Sequence, residues 1–309
     1  MRISSQQFYQ QSVNGILTRQ ADAAKSQQQL ATGKRVLQAS DDPAAAARTQ
    51  GLTRDVSNLK QLQFNAAQAK NRLQSEEVAI TSSVSTVQSM RDLIIQARNG
   101  SNSPESLMAI ASNIEQQLET LTQIANSQDG NGRFLFSGFR DNTRPFVKDP
   151  TTGVVSYVGD DQQRFLNIGL GRQVSDGDPG SQVFQRLKDA DNAGATSDIF
   201  TFAKRVVDAL RNPSPTIGTT LANSIVNMDE TLARFSDVRT QIGSRLNAVD
   251  QQIDINDTVS LQFQENLSAL QDVDYAQAIT NYNQQLTGLQ AAQQAYARVQ
   301  GLSLFDYLK

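Results

Sequence analysis

The chain has 309 residues, room for about two domains of ordinary size. Its 28 Lys and Arg against 31 Asp and Glu leave a net charge of −3, which gives no electrostatic reason to expect nucleic acid. It has neither cysteine nor histidine, which excludes disulfides, thiolate zinc sites, imidazole ligands and histidine-based acid–base catalysis.

The opening "MRISSQQFYQQSVNGILTRQ" has no apolar stretch after its arginine. It does not read as a Sec-type signal peptide, so export would need another route. No run approaches the ~18 apolar residues of a membrane span. Residues 4–31 read as a helix with a thin stripe of Val13, Ile16, Leu17, Ala23, Ala24, Leu30 and Ala31. Gly15 weakens it. Gly33 supplies a left-handed helix end. In "SDDP", Asp42 is an N-cap and Pro43 takes the first helical position, so the helix restarts there.

Residues 43–98 then keep a seven-residue rhythm through Leu52, Val56, Leu59, Ala66, Leu73, Ile80, Val84, Val87, Met90 and Ile94. "NGSNSPES" breaks it, and Ser103 with Pro104 opens a third helix along Leu107, Ile110, Ile114, Leu118, Leu121 and Ile124. From Asp129 the period changes. "DGNGRFLFSG" reads as a turn and a short strand, "RPFVKDPTTGVVSYVG" as two strands around a turn, and "QRFLNIGL" as a third strand. Helix resumes near Asp198, breaks at "NPSPTIG", and runs from about Thr219 to Asp254. A last helix is expected from about Asn256 to Gly301.

The expected fold is mainly α with a β insert: an elongated antiparallel, coiled-coil-like bundle of the N- and C-terminal arms plus a small β-rich outer domain. Three parts are expected: 1–42 with 265–309 as a terminal helical pair, disordered in the monomer; 43–135 with 198–264 as the helical bundle; and 136–197 as the β-rich outer domain.

Candidate chemistry is thin. Asp41–Asp42 could be paired carboxylates, but the following Pro43 makes a helix cap the better reading. "DGDPG" (Asp176 to Gly180) lacks the spacing and closing glutamate of a calcium loop and reads as a turn. Asp160–Asp161 reads as a hairpin tip. "DGNGR" is not a phosphate loop. No histidine is present to activate a serine.

The C-terminal seam carries more. Leu270, Tyr275, Ile279, Tyr282, Leu286, Leu289 and Tyr296 share one face, followed by an apolar tip with Leu302, Leu304 and Phe305. The expected last helix runs about 70 Å at 1.5 Å per residue. Its final third can meet only the thin first helix, with Ile16, Leu17 and Leu30. Ordering a residue costs about 1–2 kcal/mol, and a fully buried large apolar side chain returns about 1.5–3 kcal/mol. One thin helix pair does not offset the ordering of both ends, so these residues are the candidate subunit-assembly set, and Asp42 and Pro43 the helix-restart cap.

These residues resemble flagellin-type proteins. "ATGKRVLQASDDPAAAA" is similar to that family's N-terminal element, and "LQDVDYAQAITNYNQQLTGLQAAQQAYARVQGLSLFDYL" to its C-terminal helix. "RTQIGSRLNAVD" (Arg239 to Asp250) looks like a third shared segment. The resemblance spans both helical arms. "MRIS", the proline of "SDDP", "DGNGRFLFSG" and "SLFDYL" look like the members that join hook to filament. The resemblance implies a structural part of the bacterial flagellum, exported unfolded through the flagellar type III channel with a cytosolic chaperone on its C-terminal region. It implies self-assembly into a short ring, with a hook-associated neighbour on the hook side and flagellin on the filament side. It implies no catalytic site, cofactor or metal, and no nucleic-acid or membrane partner. Thr32 to Asp42 would be a spoke between an inner layer of termini and the bundle. Two other readings are a short flagellin that builds the filament itself, and a secreted helical adhesin or effector acting through the β module.

Overall fold

A computed structural model describes residues 2–301. Among these described residues, seven helices and six short strands follow in chain order: α1 (Arg2–Thr32), α2 (Pro43–Ala97), α3 (Pro104–Ala125), β1 (Phe146–Lys148), β2 (Val155–Tyr157), β3 (Phe165–Gly169), β4 (Arg172–Ser175), α4 (Gly180–Val183), β5 (Leu187–Lys188), β6 (Thr196–Ser197), α5 (Ile199–Arg211), α6 (Ile217–Gln271) and α7 (Tyr275–Gly301). The fold is mainly α with a β insert. Several helix starts rest on local capping. Ser103 accepts from Ser106 N ahead of Pro104, and Asp198 accepts from Thr201 N at 2.8 Å.

The chain divides into two units. Unit 1 is 1–58 with 258–309; unit 2 is 59–257. The boundaries differ from those expected at 42 and 265, and they fall inside α2 and α6. The segment 136–197, expected as an outer domain, shares one core with the helices of unit 2. That core joins Leu73, Ile80, Val87 and Met90 of α2, Ile114 and Leu121 of α3, Phe200 and Phe202 of α5, and Phe235 and Ile242 of α6. Phe136, Phe146, Phe184, Phe200 and Phe235 form its aromatic centre, with ring centroids 5.0–6.0 Å apart, several edge-on.

The strands pair only as separate antiparallel ribbons, β1–β2, β3–β4 and β5–β6. A two-stranded ribbon is marginal alone, so each leans on helices. The β1–β2 turn closes on itself: Asp149 Oδ1 accepts from Thr151 N and Thr152 N at 2.8 Å, and Gly153 takes φ 70°. The β3–β4 ribbon docks through Asn65 Nδ2 to Asn167 O at 2.9 Å and Asn256 Nδ2 to Ile168 O at 2.8 Å.

Four local expectations change. The break near Asp254–Asn256 does not exist, because Gln252 and Asn256 are buried, bond each other and serve the β3–β4 ribbon inside an unbroken α6. The actual break is Asp272–Asp274. In "DGNGRFLFSG" Phe134 makes one isolated bridge, to Gln128 just before the stretch, rather than a strand. Asp160 lies between β2 and β3, its carbonyl accepting from Tyr157 Oη at 2.8 Å, not at a hairpin tip.

"DGDPG" is the fourth. Asp176 and Asp178 are 2% and 4% exposed, so they belong to a buried ionic cluster and not to an open turn. Arg245 holds both oxygens of Asp178 at 2.8 and 2.9 Å, and Gln163 donates to it at 2.7 Å. Arg164 forks onto Asp176. Arg72 donates to Asp129 at 2.9 Å, Phe134 O at 2.8 Å and Leu135 O at 3.2 Å. Glu76 Oε1 accepts from Asp178 N at 3.1 Å. Burial, then the charge of Asp178, push the Glu76 carboxyl well above its usual range.

Candidate assembly interface

α1 and α7 lie against each other in unit 1. Their contacts run antiparallel, from Tyr9 beside Tyr296 (centroids 5.4 Å apart) to Gly33 beside Val273. The seam is built from small and polar groups. Ala23, Ser26 and Ala278 are buried, and Ser26 Oγ donates to Gln285 Oε1 at 2.7 Å. Arg19 lies against Gly288, where a Cβ would come within 2.5 Å of its Nη1. Tyr9 hydrogen-bonds the Tyr296 phenol and raises its pKa.

Small residues let two backbones approach closely, but they leave little apolar area in the contact. Within the expected set, Ile16 and Leu30 of α1 and Tyr282, Leu286, Leu289 and Tyr296 of α7 are half-buried, as is Leu270 at the end of α6. Leu17, Tyr275 and Ile279 are 56%, 54% and 49% exposed. Leu302, Leu304 and Phe305 lie outside the described residues. The expected assembly set left out Tyr9, Ala23, Ser26, Ala278 and Gln285, although Ala23 stood in the apolar stripe read for the first helix. Ala23 with Ile16 and Leu30, and Ser26 with Gly33, hold the seven-residue spacing that could have found two of them.

The two helix interruptions meet in one joint. Gly33, at φ 70°, donates to Gln29 O at 2.9 Å and ends α1. Lys34 and Asp272 form an antiparallel bridge. Arg35 N donates to Gln271 O at 2.7 Å, Val273 N to Gly33 O at 2.9 Å, and Arg35 Nη2 to Leu270 O at 3.0 Å. Tyr275 covers the joint so closely that a Cβ on Gly33 would lie 2.9 Å from its hydroxyl.

Of the two acids of "SDDP", Asp42 caps a helix and Asp41 closes the turn that precedes it. Asp42 Oδ1 accepts from Ala45 N at 2.9 Å at the start of α2, and that bond lowers its pKa first, Arg35 helping. Asp41 accepts from Leu37 N and Gln38 N at 3.1 Å and pairs with Lys25 at 2.7 Å, the Lys25 bond leading its own lowered pKa. Asp274 caps α7, accepting from Ala276 N at 2.9 Å. These carboxylates are committed to backbone N–H groups, and Asp42 and Asp274 fix where α2 and α7 begin. Among the described residues, no group of three or more acidic, histidine or cysteine side chains is placed to hold a metal. No helix among them is long and apolar enough to cross a membrane.

The model for the bacterial flagellin N-terminal helical region matches residues 3–141, and that for the C-terminal helical region matches residues 225–308. The flagellar hook-associated protein 3 of Escherichia coli strain K12 is 28% identical over all of both chains. The phase 1 flagellin of Salmonella naestved is 30% identical over 119 residues, 38% of this chain and 24% of its own. A solved structure of a putative flagellar hook-associated protein from Vibrio parahaemolyticus shares the fold with a TM-score of 0.66 and 23% identity, over 75% of this chain and all of that one.

Proposed function

This chain belongs to the flagellin family, and on that premise we propose that it is a structural part of the bacterial flagellum that joins hook to filament. The single observation behind this reading is the end-to-end correspondence with hook-associated protein 3, set against a likeness to flagellin that covers 38% of the chain. The mechanism is coupled folding and assembly. α1 and α7 make a thin contact in one molecule and leave Leu17, Tyr275 and Ile279 exposed, so neighbouring copies complete their burial. Self-assembly gives a short ring, with a hook-associated neighbour on one side and flagellin on the other. The chain reaches this place through the flagellar type III channel, its C-terminal region held by a cytosolic chaperone. The role is structural, with no catalytic residue.

A strain lacking this chain should keep its hooks, lose its filaments and shed flagellin into the medium. A motile deletion strain would refute the junction role. Ile279→Asp with Leu286→Asp should leave the helical signal of unit 2 intact and abolish assembly. Loss of all helical signal would instead place these residues in the monomer's own core.

A further inference from the structure

Two polar atoms in the ionic cluster of unit 2, Arg72 Nε and Glu76 Oε2, are buried without a hydrogen-bond partner within the chain. Each such atom ordinarily costs about 1–3 kcal/mol, so two together in a well-packed core call for a reason. They converge on one point. A Cβ built on Gly177 would lie 3.4 Å from Arg72 Nε, 3.6 Å from Leu135 O and 3.7 Å from Glu76 Oε2. A cavity of about 10 Å³, with Arg72, Leu135, Gly177 and Asp178 in its walls, adjoins this point. One water needs about 10–15 Å³.

The three atoms restrict what can sit among them. Arg72 Nε–H only donates, so the occupant must offer a lone pair. Leu135 O only accepts, so the occupant must also carry a hydrogen. That oxygen already accepts from Arg72 Nη2 at 3.2 Å and has a second lone pair to offer. Burial favours the protonated form of Glu76, which supplies either a donor or an acceptor at Oε2. A metal cation fails against Arg72, and a halide fails against Leu135. Water satisfies all three.

We propose that position 177 is a glycine to make room for one structural water, which bridges α2 to the Asp176–Pro179 loop through Arg72 Nε, Glu76 Oε2 and Leu135 O. The water completes the ionic cluster and lets a neutral glutamic acid and a charged arginine share one buried pocket.

Gly177→Ala in the full chain tests this by the sign of its effect. Residue 177 is not among the glycines with positive φ, and the new methyl would meet its neighbours at ordinary contact distances. In a dry gap it fills space and restricts the unfolded chain, so the unfolding equilibrium constant stays level or drops two- to fivefold. With a water present, the methyl displaces it and strands two polar atoms, so the constant should rise about tenfold or more. A level or lowered constant overturns the proposal. A high-resolution crystal structure of the parent chain gives a second, independent reading. Density within hydrogen-bond reach of all three atoms supports the water, and a dry or collapsed gap overturns it.

Discussion

Glu76 is a carboxyl group in full burial, and the cluster around it explains how it is tolerated. Arg72, Arg133, Arg164 and Arg245 pair with Asp129, Asp141, Asp176 and Asp178. Glu76 is the one carboxyl left over, and it hydrogen-bonds a backbone N–H. Its raised folded pKa means that the native state keeps a proton the unfolded chain gives up above the usual glutamate range. Stability therefore falls as pH rises through that window, and below about pH 4 both states are protonated and the effect vanishes. Glu76→Gln keeps the shape and the acceptor for Asp178 N but cannot ionise. It should be more stable than the parent at pH 7 and equal to it near pH 4, as read by urea unfolding followed by helical circular dichroism. At this scale the sequence yielded the helix starts at Asp42 and Ser103, because each side chain acts on an N–H group three residues on. It hid the cluster, because Arg72, Asp178 and Arg245 meet only after folding, and "DGDPG" by itself has the composition of a turn.

Helix starts were legible at Asp42 and Ser103, where a local cap sets them, but not at Asp274, whose cap stands in a joint built with a distant segment. The start of α2 rests on Asp42, three residues from the group it bonds. The break between α6 and α7 rests on Gly33 and Arg35, more than 230 residues away in sequence. "IDIN" (Ile253 to Asn256) imitates a break, but Asn256 is drawn inside to serve β3. The strands β4, β5 and β6, of two to four residues, escaped notice. The joint makes a demand on Gly33 that any side chain would violate twice, through φ 70° and through the Tyr275 hydroxyl 2.9 Å from a Cβ. Gly33→Ala should cost about 1–2 kcal/mol locally. The expected sign is faster hydrogen exchange at the amides of Arg35 and Val273, with unit 2 unchanged. In unit 2 the aromatic centre holds α5, α6 and the β1–β2 ribbon together. Phe184→Ala should therefore cost about 3–5 kcal/mol, seen as a lowered midpoint of thermal unfolding.

Across the whole molecule, burial is unequal. Unit 2 holds the entire connected apolar core among the described residues, while the α1–α7 seam buries two alanines and a serine. Local stability follows such differences. Amides of α1 and α7 should exchange well before those of α3 and α5 in the free chain, and become protected on assembly. Equal protection throughout the dilute monomer would contradict the assembly mechanism. The β1–β2 turn has a practical use. Thr152 is exposed at its tip, the turn is closed by its own Asp149, and the chain contains no cysteine. Thr152→Cys would thus create a sole thiol, and a maleimide dye attached there could report where individual copies settle on a living cell.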